Sequence, residues 1–388
     1  MSFCEKSKFC RFLLPSHRRT PLSSWPIFRL FRGRPENYFH QRLVQQKNNQ
    51  TLEEENLNRI RVVQFGLGPI GQASVKALAQ KSGVELVGGI DIDPNKIGKD
   101  LGEVCGLKNH LGTTVRGDVD QALAEWRPQV VVHTTLSFLD RIEDQLAAII
   151  RSGAHAVSST EELFYPYQRN PEFCWRLDAL AKQYGVAVVA TGVNPGFSMD
   201  ILPLCLTGVC TEVKKITATR VVDASRRRLP LQKKIGAGIS RKDFRERVAS
   251  GTFGHIGLRE SALAVMSAMN WPIDEIKESL KPMIAGKRVK TPFLTVEAGQ
   301  VTGIHQIMRV KSGGEERLAL ELQMYVGAKK PHDSVEIIGN PPLSMRIEGG
   351  IFGDTATIGA LVNSIPKIIK AQPGLHTMLD LPVPYAFL

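Results

Sequence analysis

From residue 60 onward, short apolar runs alternate with stretches whose apolar positions recur every three or four residues. The first run, IRVVQF (60–65), is rich in β-branched side chains and predicts a strand buried on both faces. Ile70, Ala73, Ala77 and Leu78 then fall at helical spacing. Pro69 stands in the first turn, where its missing N–H costs nothing. Strand-like runs return at 85–90, 129–135 (QVVVHTT), 154–158 (AHAVS) and 186–190 (VAVVA). Helices are predicted at 118–126, 139–152, 171–184 and 199–206, with a turn and a short helix after residue 91. Strands alternating with helices over this length predict an α/β fold with a doubly wound parallel sheet.

The pattern changes near residue 211. Residues 213–222 alternate apolar with polar, and a basic loop with helical stretches is read over 223–285. Five strand-like segments follow at 289–297, 300–310, 317–326, 333–338 and 343–348. This predicts an α+β unit with a largely antiparallel sheet. The glycine-rich segment and helix of 349–369 are expected to return to the first unit, and the tail beyond reads as irregular.

Gly66, Gly68 and Gly71 stand between the first strand and helix with the spacing G-x-G-x-x-G. In a strand-turn-helix unit these glycines allow a tight turn, close approach of the backbone to a pyrophosphate, and close packing of helix on strand. Asp91 ends the second strand about 20 residues past Gly71, where a carboxylate holds the adenosine ribose 2′-hydroxyl. Strand, turn, helix, strand and acid arrive in order. The pattern therefore predicts a Rossmann-type domain binding a nicotinamide or flavin dinucleotide. Gly66, Gly68, Pro69, Ile70, Gly71 and Asp91 line the site, and Thr134 and Thr135, ending a later strand, border the crevice. A carboxylate repels a 2′-phosphate, so NAD is favoured; Lys96 and Lys99 keep NADP open. The expected division is a leader (1–58), a dinucleotide-binding domain (59–210, completed by 349–388), and an α+β substrate and oligomerisation domain (211–348).

Composition changes this picture little. A net charge of +12 would suggest nucleic acid if it covered a folded face, but residues 1–47 alone supply +8, so no nucleic-acid partner is expected. That leader is basic, acid-poor and broken by prolines. Disorder is expected there, with organelle targeting as an alternative to a cytoplasmic location. No run approaches the roughly 18 apolar residues of a membrane helix, so no membrane partner is expected. The cysteines form no C-x-x-C pair and the histidines no H-E-x-x-H, so no metal is expected.

Chemistry is sought where strands end. After the fourth predicted strand comes SSTEELFYP (158–166). Glu161 and Glu162 either open a helical turn capped by Ser159 or Thr160, or supply a general acid/base whose pKa is raised among Leu163, Phe164 and Tyr165. After the fifth comes TGVNPGFSMD (191–200), where Gly192 and Gly196 either permit close backbone approach, with Asn194 offering a donor and an acceptor, or form a glycine turn capping the helix at 199–206. His255 sits in Gly254-His255-Ile256-Gly257, where a ligand has room to approach. His305 has a weaker claim, and the Arg226–Arg228 run reads as solvated surface.

These residues carry a resemblance. From about Arg59 onward the chain resembles the 2,4-diaminopentanoate dehydrogenase group, which includes NAD(P)-dependent amine dehydrogenases and is labelled dihydrodipicolinate reductase-like. The matching stretches are GLGPIG (66–71), DIDPNKIGKDLGE (91–103), STEELFYP (159–166), TGVNPGFSMD (191–200), RRLPLQKKIGAG (227–238), GHIGLRES (254–261), LELQMYVGA (320–328) and GGIFGDTAT (349–357). The resemblance implies a Rossmann domain with a substrate domain, a homodimer, and reversible oxidative deamination of an amine to a ketone or aldehyde plus ammonia. It also implies a catalytic glutamate in the STEEL stretch, Glu161 or Glu162, with Glu161 nearer the strand end. Asn194 and His255 would orient the substrate. The paired histidines, lysine and SGT segment of true dihydrodipicolinate reductases are not found here. Reduction of a cyclic imine on the same plan, and a dinucleotide sensor without turnover, are the rival expectations.

Overall fold

The computed structural model describes residues 59–251 and 253–387, so the leader read as disordered lies outside the described residues. The chain begins with β1 (Ile60–Phe65), α1 (Pro69–Leu78), β2 (Val84–Ile90), α2 (Leu101–Val104), β3 (Val115–Arg116), α3 (Val119–Trp126) and β4 (Val130–His133). It continues through α4 (Glu143–Arg151), β5 (His155–Ser158), α5 (Pro171–Tyr184) and β6 (Ala187–Ala190). β1 lies between β2 and β4, with β3 beyond β2, and β5 then β6 beyond β4; every pairing is parallel. The apolar runs behave as their composition requires. Val62, Val130, Val132, Val157 and Val189 pack into one layer, while Val63, Val131, Ala156 and Val188 pack into the other against α3, α4 and α5. Leu146, Ile149 and Ile150 of α4 are fully buried, each contributing about 1.5–3 kcal/mol.

α6 (Ile201–Thr207) leads to β7 (Glu212–Asp223), α7 (Leu229–Lys234), α8 (Arg241–Ala249), α9 (Leu258–Ala268) and β8 (Glu275–Ile284). A short hairpin of β9 (Val289–Lys290) and β10 (Thr295–Val296) precedes β11 (Val301–Ser312), β12 (Glu315–Tyr325), β13 (His332–Asn340) and β14 (Leu343–Glu348). The second sheet runs β14-β13-β7-β12-β11-β8 and is antiparallel except for β7 against β12. One face buries Ile216, Ala218, Ile304, Met308, Leu318, Leu320 and Leu322 under α9 and Phe244 of α8.

Two readings fail here. The helical stretch read up to residue 285 ends at α9, and its last part is β8. Ile276, Leu280, Met283 and Ile284 fall at helical spacing, yet this is an edge strand with one partner, where Pro282 removes no ladder donor from a neighbour. The segment 289–297 is two pairs of residues joined by a turn rather than one strand.

Finally α10 (Gly353–Ile368) returns to the first sheet. Leu361, Val362, Ile365 and Ile368 fill the layer shared with α1. The tail read as irregular holds β15 (Gly374–His376), which extends the parallel sheet beside β6. Three residues with one apolar side chain carry too little pattern to be seen in sequence.

Candidate active site

The carboxyl ends of β1, β4, β5 and β6 open toward the second sheet and the N-terminus of α10. A cavity of about 340 Å³ between them is lined by Gly68, Thr134, Thr135, Glu161, Asn194, Arg220, Arg227, Lys234, His255 and Thr357. The three glycines divide their work. Gly66 adopts φ +88°, and a Cβ there would lie 2.6 Å from the Thr134 carbonyl. A Cβ on Gly71 would lie 1.8 Å from the Gly66 carbonyl, so α1 packs directly on the turn. At Gly68 a Cβ would meet nothing within 4 Å; this glycine, with Pro69 and Ile70, faces the cavity. An open backbone at a helix start is the cradle a pyrophosphate needs. The residues therefore fit a dinucleotide.

Asp91 braces this turn. Its Oδ2 accepts from the Leu67 N–H (2.7 Å) and from Lys96 Nζ (3.1 Å), and its Oδ1 accepts from the Asp93 N–H (2.9 Å). Lys96 also lies 3.5 Å from Asp93, so two carboxylates surround one ammonium. Thr134 Oγ1 donates to the Gly66 carbonyl (2.9 Å) and accepts from buried Gln64 Nε2 (2.8 Å). Thr135 Oγ1 donates to Gln145 Oε1 (2.7 Å), which also lies 2.8 Å from His133 Nε2. His133 is fully buried, and desolvation pushes its pKa down to about 4.

The two glutamates part company. They lie in a short 3-10 turn, Glu161–Leu163, that receives no side-chain cap. Glu162 Oε2 accepts from the Leu139 N–H (3.0 Å), and Oε1 lies 3.7 Å from Arg169, which in turn pairs with buried Glu260 at 2.8 Å. Glu162 lines a separate hollow with Arg169, Glu260 and Glu278. Glu161 lines the main cavity, and its carboxylate makes no hydrogen bond or ion pair among the described residues.

Opposite stands the loop after β6. Asn194 is only 9% exposed, yet neither its Oδ1 nor its Nδ2 has a hydrogen-bond partner among the described residues. Gly192 and Gly196 fold this loop on itself instead of admitting a ligand: a Cβ on Gly196 would lie 2.3 Å from the Gly192 nitrogen. Asp200 fixes the loop from beneath, accepting from the N–H groups of Gly196 (2.9 Å) and Ile201 (2.7 Å) and from Ser261 Oγ (2.6 Å). Burial raises the Asp200 pKa.

His255 is half-buried, with Nε2 3.1 Å from the Asn194 carbonyl, an acceptor only. The proton therefore sits on Nε2 and leaves Nδ1 with its lone pair. Desolvation, and next the charge of Lys234, push the His255 pKa down to about 4, so the ring is neutral at pH 7. Gln306 clamps the His255 backbone from both sides, at 2.8 and 3.0 Å. Gly257, at φ +104°, leaves room for Pro195, whose Cδ would lie 2.3 Å from a Cβ there.

The far end of the cavity is cationic, and of the Arg226–Arg228 run read as solvated, Arg226 and Arg228 are exposed as expected while Arg227 is not. Arg227 is 8% exposed; its Nη2 donates to Asp354 Oδ1 at 2.7 Å, and its Nε has no partner among the described residues. Arg220, 3% exposed, pairs with Asp333 at 3.0 Å and donates to the Ile351 carbonyl at 2.6 Å. Exposed Lys234 completes this end. Charge counting along the chain does not distinguish buried Arg227 from its neighbours. Arg220, Thr357 and Thr191 also gave no signal of their own. His305 lies outside this cavity, paired with Glu321 across β11 and β12 at 2.6 Å.

A Rossmann-type sheet, a glycine cradle and an unpaired acid facing a second mixed-sheet domain define a dinucleotide-dependent oxidoreductase. Comparison with known proteins agrees. A family model described as the 2,4-diaminopentanoate dehydrogenase C-terminal domain matches residues 197–388, and one described as the dihydrodipicolinate reductase N-terminus matches 60–163. The 2,4-diaminopentanoate dehydrogenase of Acetoanaerobium sticklandii is 32% identical over 345 residues, spanning 86% of this chain and 96% of that one. An amine dehydrogenase of Streptomyces virginiae is 26% identical over 350 residues, spanning 84% and 96%. The solved amine dehydrogenase of Mycobacterium smegmatis superposes with a TM-score of 0.75 at 26% identity, covering 84% of this chain and 97% of that one. The chain belongs to the 2,4-diaminopentanoate dehydrogenase and amine dehydrogenase family.

Proposed function

We propose that this protein is an NAD(P)-dependent amine dehydrogenase, working as a homodimer, that interconverts a primary amine with its ketone or aldehyde plus ammonia. The observation that carries this reading is the Glu161 carboxylate, free of protein partners in the cavity that also holds the Gly68 turn, Asn194 and His255. A nicotinamide dinucleotide held at Gly66–Gly71 and Asp91 would supply or accept the hydride. The chain's own groups manage protons and orientation. Amine formation needs a base to take a proton from ammonium, then an acid to help the carbinolamine hydroxyl leave as water. One carboxyl group can do both in turn. Neutral His255 offers an acceptor at Nδ1, and the Asn194 amide offers a donor and an acceptor, both suited to orienting an amine or carbonyl.

NAD is the better fit, because Asp91 and Asp93 outweigh Lys96 where a 2′-phosphate would sit. The cationic end at Arg227 and Lys234 supports an amine that also bears a carboxylate, as in the substrate named for the Acetoanaerobium relative, over an uncharged alkyl amine. The family model described as the dihydrodipicolinate reductase N-terminus matches residues 60–163, the nucleotide-binding part, and such a match does not favour cyclic-imine reduction. The test is ammonium-dependent NADH oxidation with 4-oxopentanoate and with 2-pentanone, which differ in the carboxylate. The first should be turned over with the higher kcat/KM. No ammonium-dependent turnover with these, nor amine-dependent NAD reduction with 2,4-diaminopentanoate, would contradict the assignment.

A further inference from the structure

Beside the main cavity lies a recess of about 50 Å³, walled by Phe164, Gly192 and Pro195 and sharing Glu161 and Asn194 with the main cavity. Its polar atoms are unusual. Thr191, just after β6, is 4% exposed and its Oγ1 has no partner among the described residues; the same holds for both amide atoms of Asn194. Leaving one such group unsatisfied costs about 1–3 kcal/mol, so three together describe a place built for a small hydrogen-bonding molecule. The volume admits one or two molecules of the size of water.

We propose, resting on the amine dehydrogenase reading, that this recess is the site where ammonium is held and deprotonated. Ammonium needs hydrogen-bond acceptors, and the recess offers the Glu161 carboxylate, Thr191 Oγ1, and one acceptor from the Asn194 amide whichever way it is turned. Ammonium gives one proton to the Glu161 carboxylate, leaving neutral ammonia and a carboxylic acid. The three N–H bonds of ammonia then meet the hydroxyl, the amide and the glutamate, and its lone pair is left for a carbonyl in the main cavity. Attack forms the C–N bond as the carbonyl C–O π pair moves to oxygen, and a proton from nitrogen completes the carbinolamine. The proton stored on Glu161 leaves with the hydroxyl as water. The sum consumes one ammonium and one carbonyl, and releases one water with the protonated imine that hydride then reduces.

The hydroxyl of Thr191 isolates the claim, because it has no other partner among the described residues. In steady-state assays with NADH, a carbonyl that the wild type reduces, and ammonium chloride varied at constant ionic strength, Thr191→Val should raise the KM for ammonium about tenfold, the loss of one buried hydrogen bond. The carbonyl KM, the NADH KM and kcat at saturating ammonium should stay within about twofold, and Thr191→Ser should restore the ammonium KM. Thr191→Ala removes the same hydroxyl and carries the same expectation if the valine variant does not fold. An unchanged ammonium KM would mean that the recess holds structural water only, and a carbonyl KM rising in step would mean a general disturbance; either overturns the assignment while leaving the proposed function standing. A wild type without ammonium-dependent turnover overturns both.

Discussion

At the scale of single residues the site separates groups that look alike in sequence. Glu161 and Glu162 are adjacent carboxylates at a strand end, yet a 3-10 turn sends one into the cavity and the other to the Leu139 N–H and Arg169. Asp91 is a second case. Its oxygens hold the glycine turn through Leu67 and hold the Lys96 ammonium. Replacing it with alanine should leave Lys96 with Asp93 alone and remove a charge that would repel a 2′-phosphate. The ratio of kcat/KM for NAD to that for NADP should then fall by about tenfold or more, the worth of one close charge pair. An unchanged ratio would show that Asp91 takes no part in the choice. Because the ratio compares two cofactors on one variant, any weakening of the turn cancels. These residues were legible because the glycine spacing, the acid about 20 residues on and the STEEL segment are local patterns. Arg220, Arg227, Thr357 and the orphaned hydroxyl of Thr191 were not. Their roles arise only when β7, α10 and the strand ends meet.

At the scale of elements, the helices and strands read best were those with long apolar periods. The misreadings fell on edges, where one-sided pairing removes the pattern: β8 with helical spacing, and β15 with three residues. The element that most affects the site is the 349–352 loop before α10, which no periodicity describes. Asp333 accepts from Arg220 at 3.0 Å and from the Ile351 N–H at 2.6 Å, while Arg220 donates to the Ile351 carbonyl. This buried pair ties the second sheet to the N-terminus of α10, which brings Asp354 and Thr357 to the cavity. Asp333→Ala leaves a buried guanidinium uncompensated and should cost about 3–5 kcal/mol. In urea the midpoint should fall well below that of the wild type, and the carbonyl KM should rise through the displaced Asp354 and Arg227. A midpoint within error of the wild type would show that the loop is held by other means.

At the scale of the whole molecule, two neutral histidines give stability a pH dependence: His133, fully buried at the end of β4, and half-buried His255 in the cavity wall. His133 and His255 have folded pKa values pushed down to about 4 against an ordinary 6.5. Between those values the unfolded chain binds protons that the folded chain refuses. Stability should therefore fall as pH drops from 6.5 toward 4, by up to about 3 kcal/mol per histidine, and these two groups add no further loss below 4. Urea midpoints from pH 7 to 4.5 should show the decline, and His133→Asn should flatten part of it; an equal slope in the variant would contradict the assignment of a neutral His133. Among the described residues no helix is long and apolar enough to cross a membrane. The most direct test of the functional reading is Glu161→Gln, assayed for ammonium-dependent NADH oxidation beside NADH binding measured by fluorescence transfer. Turnover should fall by roughly 10²-fold or more with the NADH Kd unchanged, as for loss of a general acid/base. Full turnover in that variant would contradict the role of Glu161.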